Sequence, residues 1–235
     1  MFVPHAYREP DESWMHDLVH GNPLAQLVSN GKGPEPPWMT HVPIIVDPHA
    51  SRPPGDLSGL TLWGHMNREN PHWSALGTAA PVVVAFTGPH AYVSPAVYGS
   101  TPTAPTWDFT AVHAHGTLHK VDSADETLAT VLETVRTFES RFGAGWSMTD
   151  SLGYFRRILP GVGAFRVAVT RADGMFKLSQ EQSPQIRGRV RDAFAQRACT
   201  HHRAIASLMD RLEPKAGDLA EACSSPAPPS LPRTD

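Results

Sequence analysis

Apolar and polar residues alternate with a period of two through most of the first half of the chain, and with a period near 3.6 later. Asp11, Glu12 and Ser13 open a short helix with Trp14, Leu18 and Val19 on its apolar side and Gly21 as its stop. Strand-like runs follow at 24–29, 40–46 and 60–64, the last two separated by a loop rich in Pro, Gly and Asp at 47–56. Residues 81–86 form a continuous β-branched run of the kind buried on both faces. Gly88 and Pro89 predict a turn into a short strand at 91–93, which Ser94 and Pro95 stop. A proline-rich loop at 101–105 leads into a long strand over 106–121.

The helical period begins at Ser123, where Ser123 and Glu126 make a capping box. Leu128, Val131, Val135, Phe138 and Phe142 form the predicted apolar stripe, and Gly143 the stop. A second helix is expected over 152–159, a strand over 165–170 with a turn at Ala172, Asp173 and Gly174, and an arginine-rich helical segment over 184–212. Pro226, Pro228, Pro229 and Pro232 mark residues 213–235 as a tail that builds no core and is expected to be disordered. Many modest strands followed by a helical final third predict an α+β chain: one domain over 1–212, a small β-barrel with helical additions on its C-terminal side. No Gly-rich phosphate loop accompanies it, which argues against Rossmann and P-loop enzymes.

At 235 residues the chain can bury a substantial core. A net charge of −3 argues against a nucleic-acid-binding surface covering the whole protein. The two cysteines, Cys199 and Cys223, lie far apart, which fits a reducing compartment and excludes a cysteine zinc site. No run of about 20 apolar residues is present to span a membrane. The start, Met1-Phe2-Val3-Pro4-His5, lacks the basic and apolar segments of a signal peptide, so a cytoplasmic location is expected.

The densest chemistry lies in Gly64-His65-Met66-Asn67-Arg68, which ends a strand just before the Asn70-Pro71 turn. Gly64 lets the backbone pass close to something bulky. His65 projects from the strand end, either as a hydrogen-bonded structural residue or as a neutral imidazole that binds a metal or haem iron. Arg68 can clamp a carboxylate through its guanidinium fork or pair within the chain. Asn67 and Asn70 can hydrogen-bond a ligand or a turn. His113, His115 and His119 share one face of the long strand, and without a matching carboxylate pattern they read as solvent-facing. Arg187, Arg189, Arg191, Arg197 and Arg203 make a basic helical face with no helix-turn-helix signature, so nucleic acid is not an expected partner.

Several stretches resemble the PaiB-like family, FMN-binding negative transcriptional regulators with a split β-barrel fold. They are Met1-Phe2-Val3-Pro4, Gly64-His65 with Arg68 and Asn70-Pro71, residues 86–95, Pro105-Thr106-Trp107, and Phe176-Lys177-Leu178-Ser179-Gln180. The chain departs from the family's usual pattern at Asn67, at Val97 in place of a tryptophan, and at Asp108-Phe109. With Lys177-Leu178-Ser179-Gln180-Glu181-Gln182 it is most similar to the piperazate synthase branch, haem-dependent enzymes that close L-N5-hydroxyornithine into L-piperazic acid through an N–N bond. The resemblance implies haem b (FMN in the regulator branch) and His65 as axial iron ligand. Asn67, Arg68, Tyr92, Trp107, Ser179 and Gln180 become candidate cofactor contacts, and Arg68 and Lys177 the candidates for a catalytic role. It also implies a homodimer with the haem near the subunit interface. The alternatives are an FMN-binding regulator of this family and a haem-binding or haem-degrading split-barrel protein.

Overall fold

A computed structural model describes residues 1–11, 13–31, 35–50, 57–99 and 101–212. Helix α1 (Ser13–Gly21) precedes strands β1 (Leu24–Ser29), β2 (Trp38–Val46) and β3 (Thr61–Asn67). The short helix α2 (Pro71–Ala75) leads to β4 (Ala79–Val93) and β5 (Thr106–Lys120). Helices α3 (Ala124–Phe142) and α4 (Leu152–Ile158) follow, then β6 (Val162–Lys177), α5 (Pro184–Ala195) and α6 (Thr200–Leu212). The six strands close into an antiparallel barrel in the order β1-β2-β3-β6-β5-β4, so the α+β barrel expected from the pattern is the observed fold. The tail expected beyond residue 212 and the loop beyond residue 50 lie outside the described residues.

Alternation decides which side chains fill the barrel. Leu62, Gly64 and Met66 of β3 point inward, as do Val82, Val84 and Phe86 of β4 and Phe165, Val167 and Val169 of β6. Trp63, His65 and Asn67 therefore share the outer face of β3. Helix α1 packs against β4 and β5, with the Trp14 ring edge-on to Phe176 at 5.3 Å. Arg211 of α6 bonds Asp17 at 2.8 Å and lies over the Trp14 ring at 4.4 Å, tying the last described helix to the first.

Three local expectations give way to tertiary pairing. Gly88 and Pro89 do not turn the chain. They form a bulge inside β4, two residues opposite Thr110, and an added Cβ on Gly88 would meet Thr110 Oγ1 at 2.3 Å. Ala172, Asp173 and Gly174 likewise sit within β6, whose register shifts opposite His115 and Gly116. In both places, pairing along the 15-residue β5 outweighs local turn preference. His65 stands two residues inside β3 instead of at its end.

Helix α3 also differs from its predicted stripe. Thr127, Thr130 and Thr134 are the buried residues, while Phe142 is 58% exposed. Each threonine hydroxyl bonds the carbonyl four residues back, at 2.9, 2.7 and 2.8 Å. That pairing satisfies the hydroxyl within the helix and leaves the methyl group to pack inward.

Gly64 sets the inner wall beside His65. An added Cβ would lie 2.5 Å from Phe165 Cζ and 2.6 Å from Ile44 Cδ1. Gly64→Ala is therefore expected to lower stability by about 1–3 kcal/mol, the usual cost of overpacking, read as a drop in the urea midpoint with unchanged slope.

Candidate functional site

Strand β2 divides its pairing. Residues 38–43 pair with β1, and only Ile44, Ile45 and Val46 pair with β3, opposite Gly64, Trp63 and Leu62. Pro43 follows this division on the β1 side and has no N–H to continue a ladder. The sheet consequently parts where His65 begins. A cleft of about 540 Å³ opens there between Thr40–Pro43 on one bank and His65, Asn67, Ile158 and Val162 on the other.

Two histidines seven residues apart meet opposite fates at this parting. His72 on α2 is fully buried, with Nδ1 at 2.9 Å from Thr40 Oγ1 and Nε2 at 2.9 Å from Ser29 Oγ. Trp38 stacks on its ring, with centroids 5.9 Å apart and planes 18° apart. His72 thus bridges β1 and β2 beneath the parting, held by α2, which Asn70 caps through a 2.9 Å bond from His72 N–H. His65 is different: its Nδ1 is buried and has no hydrogen-bond partner. Burial also lowers its basicity below the ordinary imidazole value, so the ring is neutral at pH 7 and carries a free electron pair. The chain uses His72 as structure and leaves His65 available.

The neighbours of His65 divide between local turns and the cleft. Asn67 accepts from Glu69 N–H at 2.9 Å, shaping the turn out of β3. Arg68 donates through Nε to the Val162 carbonyl at 2.8 Å and lies 5.7 Å from the Trp73 ring. It lines an adjoining depression with Asp122 and Arg156. Lys120 approaches Trp73 to 4.6 Å and donates to the Trp73 and Leu76 carbonyls.

The other candidates gather elsewhere. Tyr92 and Trp107 are partners across β4 and β5, with rings edge-on at 5.7 Å and each about half exposed. Lys177 bonds Thr106 Oγ1 and lies 5.7 Å from the Tyr7 ring. Ser179 and Gln180, expected among the cofactor contacts, are turn-formers in this fold. Ser179 is fully buried at φ 60°, with its hydroxyl donating to Asp108 at 2.7 Å and its N–H at 3.1 Å. Gln180 accepts from Leu178 N–H and donates to the Phe176 carbonyl. His65 pairs with Ala164, and the next β6 residue, Phe165, pairs with Lys120, 13 residues along β5 from Trp107 (120 − 107). At strand rise that is roughly 40 Å, so one chain does not bring the two groups together.

Of the strand histidines, His115 joins an ion cluster. His115 Nε2 is 3.1 Å from Asp173, which also binds the Met1 ammonium at 2.7 Å. Among the described residues no three His, Cys, Asp or Glu side chains form a metal cluster. The basic face is partly used within the fold: Arg189 donates to the Tyr98 carbonyl, and Arg191 pairs with Asp192 and Asp210.

Sequence reading missed the roles of His72 and Asp108. His72 lies in the same motif as His65, and nothing in spacing distinguishes the two. Asp108 did carry a signal, as a charged residue at an inward strand position. Its carboxyl is pushed up to about 6, chiefly by burial, with Glu181 adding and the Ser179 bonds opposing.

Two outcomes follow. In cofactor-free protein, His72→Ala is expected to cost about 2–4 kcal/mol, since it strands Ser29 and Thr40 and empties a packed site, while His65→Ala stays within about 0.5 kcal/mol. Paired urea melts check this contrast. For Asp108, the folded state holds a proton between pH 3.8 and about 6 that the unfolded chain releases, so its contribution is complete below that window and is lost as pH rises through it. Asp108→Asn should remove a fall in stability on the order of 2 kcal/mol across that window, measured as the wild-type-minus-variant difference.

Residues 1–171 match the family described as "Putative FMN-binding domain". An uncharacterized protein of Emericella nidulans is 28% identical over 243 residues, covering 89% of this chain and 96% of the relative. Protease synthase and sporulation protein PAI 2 of Bacillus subtilis is 25% identical over 185 residues, 78% of this chain and 84% of its own. Among solved structures, the FAD and heme binding protein of Mycobacterium smegmatis superposes with a TM-score of 0.54 at 17% identity, over 76% of this chain and 77% of that one. The conserved hypothetical protein Rv2991 of Mycobacterium tuberculosis gives 0.53 at 11% identity, over 78% and 94%. The match over residues 1–171 and the closed six-stranded barrel agree: the protein belongs to the family described as a putative FMN-binding domain, and it has a split-barrel fold.

Proposed function

We propose that this protein is a haem-dependent piperazate synthase, which closes L-N5-hydroxyornithine into L-piperazic acid with loss of water. The observation that carries the reading is His65, a neutral imidazole that lines the cleft where β2 and β3 part and whose buried Nδ1 has no partner. His72, the other histidine of the motif, has both ring nitrogens bonded. The residues around His65 that resemble the haem-dependent branch favour haem b over FMN, while the Mycobacterium smegmatis neighbour is named for both FAD and heme and is compatible with either. FMN remains the second reading because the family is described by that cofactor.

His65 would hold the haem iron, which when bound would supply Lewis acidity toward the N–O bond of the hydroxylamine. The substrate already carries the oxidising equivalent on N5. The N–O bond breaks, the α-amine nitrogen bonds to N5, and the hydroxyl leaves as water, so no outside electron donor is required. The chain's contribution is placement and charge. Arg68 and Arg156 put cations in the depression beside the cleft, suited to carboxylates of substrate or cofactor. Holding the carboxylate folds the substrate so that its amine approaches N5.

The proposal includes a homodimer. The outer face of β1, β2 and β4 presents Leu24 (64% exposed) and Met39 (62% exposed) beside half-buried Val28, Val83 and Ala85. A two-fold partner covering this face would bury it and bring the partner's own surfaces toward the open His65 cleft. Such pairing offers the means by which Tyr92 and Trp107, remote from His65 within one chain, could serve the same cofactor.

The purified protein is expected to show a Soret band, which His65→Ala loses or shifts. Mass spectrometry of haem-loaded protein with L-N5-hydroxyornithine should give a product lighter by one water, without NAD(P)H, flavin or oxidant, and none from ornithine. Arg68→Ala should lower kcat/KM by about 10- to 100-fold, the scale of a lost bidentate charged contact. A flavin spectrum with no haem-bound species would favour the FMN-binding regulator. Haem binding without product would favour a haem carrier.

A further inference from the structure

Helix α1 carries His16 and His20 one turn apart, the i, i+4 spacing that puts two imidazoles on one helix face. Their Nε2 atoms lie 3.1 Å apart, a bent hydrogen bond in which one ring donates to the other and which a shared metal ion would replace. Bonds of about 2.0–2.1 Å to one metal ion hold two nitrogens at about this separation. The ring centroids are only 4.1 Å apart with planes 40° apart, so the rings lie side by side. A pair held by a straight N–H···N bond would sit end to end, its centroids farther apart than its nitrogens by nearly a ring's width. Both histidines line a cavity of about 270 Å³ between α1, the end of β2 and the last turns of α3.

We propose that His16 and His20 form a bidentate site for a late first-row divalent ion, Cu²⁺ ahead of Zn²⁺, with water completing the coordination. The site is separate from the His65 cleft and does not depend on the proposed activity. Burial lowers the basicity of both rings, so each is neutral and ready to coordinate without first losing a proton. Two imidazoles and water suit copper, nickel and zinc, whereas magnesium and calcium require oxygen ligands. Among the described residues no third histidine, cysteine or carboxylate completes a cluster, which leaves coordination positions for water or a small ligand. Asp47 after β2 and Arg141 of α3 share the cavity with the pair, and Asp17, exposed and bonded to Arg211, acts on it only through space. Asp47 and, more weakly, Asp17 favour a cation, and Arg141 opposes it.

Calorimetric titration of the full haem-free chain with Cu²⁺, and separately with Zn²⁺, tests the site. One strongest site per chain is expected, with Cu²⁺ tighter, as the Irving–Williams order requires. His16→Ala and His20→Ala should each weaken that site by at least about tenfold, and the double variant should be little worse, because either loss breaks the chelate. Arg141→Gln should tighten it by removing the opposing charge, while His113→Ala should leave it unchanged. Circular dichroism checks that each variant keeps its fold. Electron paramagnetic resonance of the Cu²⁺-loaded wild type gives a readout that needs no variant: coupling to two imidazole nitrogens is expected. Affinity unchanged in folded His16→Ala and His20→Ala, or a wild-type signal with fewer than two imidazole nitrogens, would overturn the proposal.

Discussion

Strand β2 pairs with two different neighbours along its length, and the shape of the candidate site follows from that division. An antiparallel barrel satisfies its backbone groups by pairing each strand on both sides. Here the β2–β3 ladder stops at Ile44 and Gly64, and the wall would open into the core if nothing filled it. Helix α2 fills the inner half. His72 bonds a hydroxyl from each of β1 and β2, and a buried polar group left unpaired would cost about 1–3 kcal/mol. The outer half stays open, and His65 faces it. One break in pairing thus yields a sealed inner joint and an accessible outer cleft.

The long strands β4, β5 and β6 impose a second constraint. They run 15, 15 and 16 residues, and their mutual register holds Tyr92, Trp107 and Lys177 at the far end of the barrel from His65. Bulges in β4 and β6 let these strands bend around the core without ending. Helix α3 covers parts of β2, β3 and β6 through its threonine face, and α5 and α6 pack on each other with α6 against β4. The outer face carrying Leu24 and Met39 keeps its apolar exposure.

The sequence by itself determined the class of fold. Strand-like runs marked β1 and β5 to within a residue and β2 to within two, and the capping box at Ser123 located the start of α3. Such signals are local, because side-chain period and cap chemistry are set by a few neighbouring residues. The Gly64-His65 motif was visible as a local run of residues, but what makes Gly64 necessary, Phe165 and Ile44, is brought to it only by the fold. Tertiary structure decided what needs a partner from far along the chain. Pairing with β5 turned one apparent turn into a bulge and the other into regular ladder, the Asp108 carboxylate claimed Ser179 from 71 residues away, and Ser29 and Thr40 made His72 structural while His65 Nδ1 received no partner. Two histidines in one motif look alike in sequence because an imidazole's role depends on which atoms the rest of the fold brings to its nitrogens.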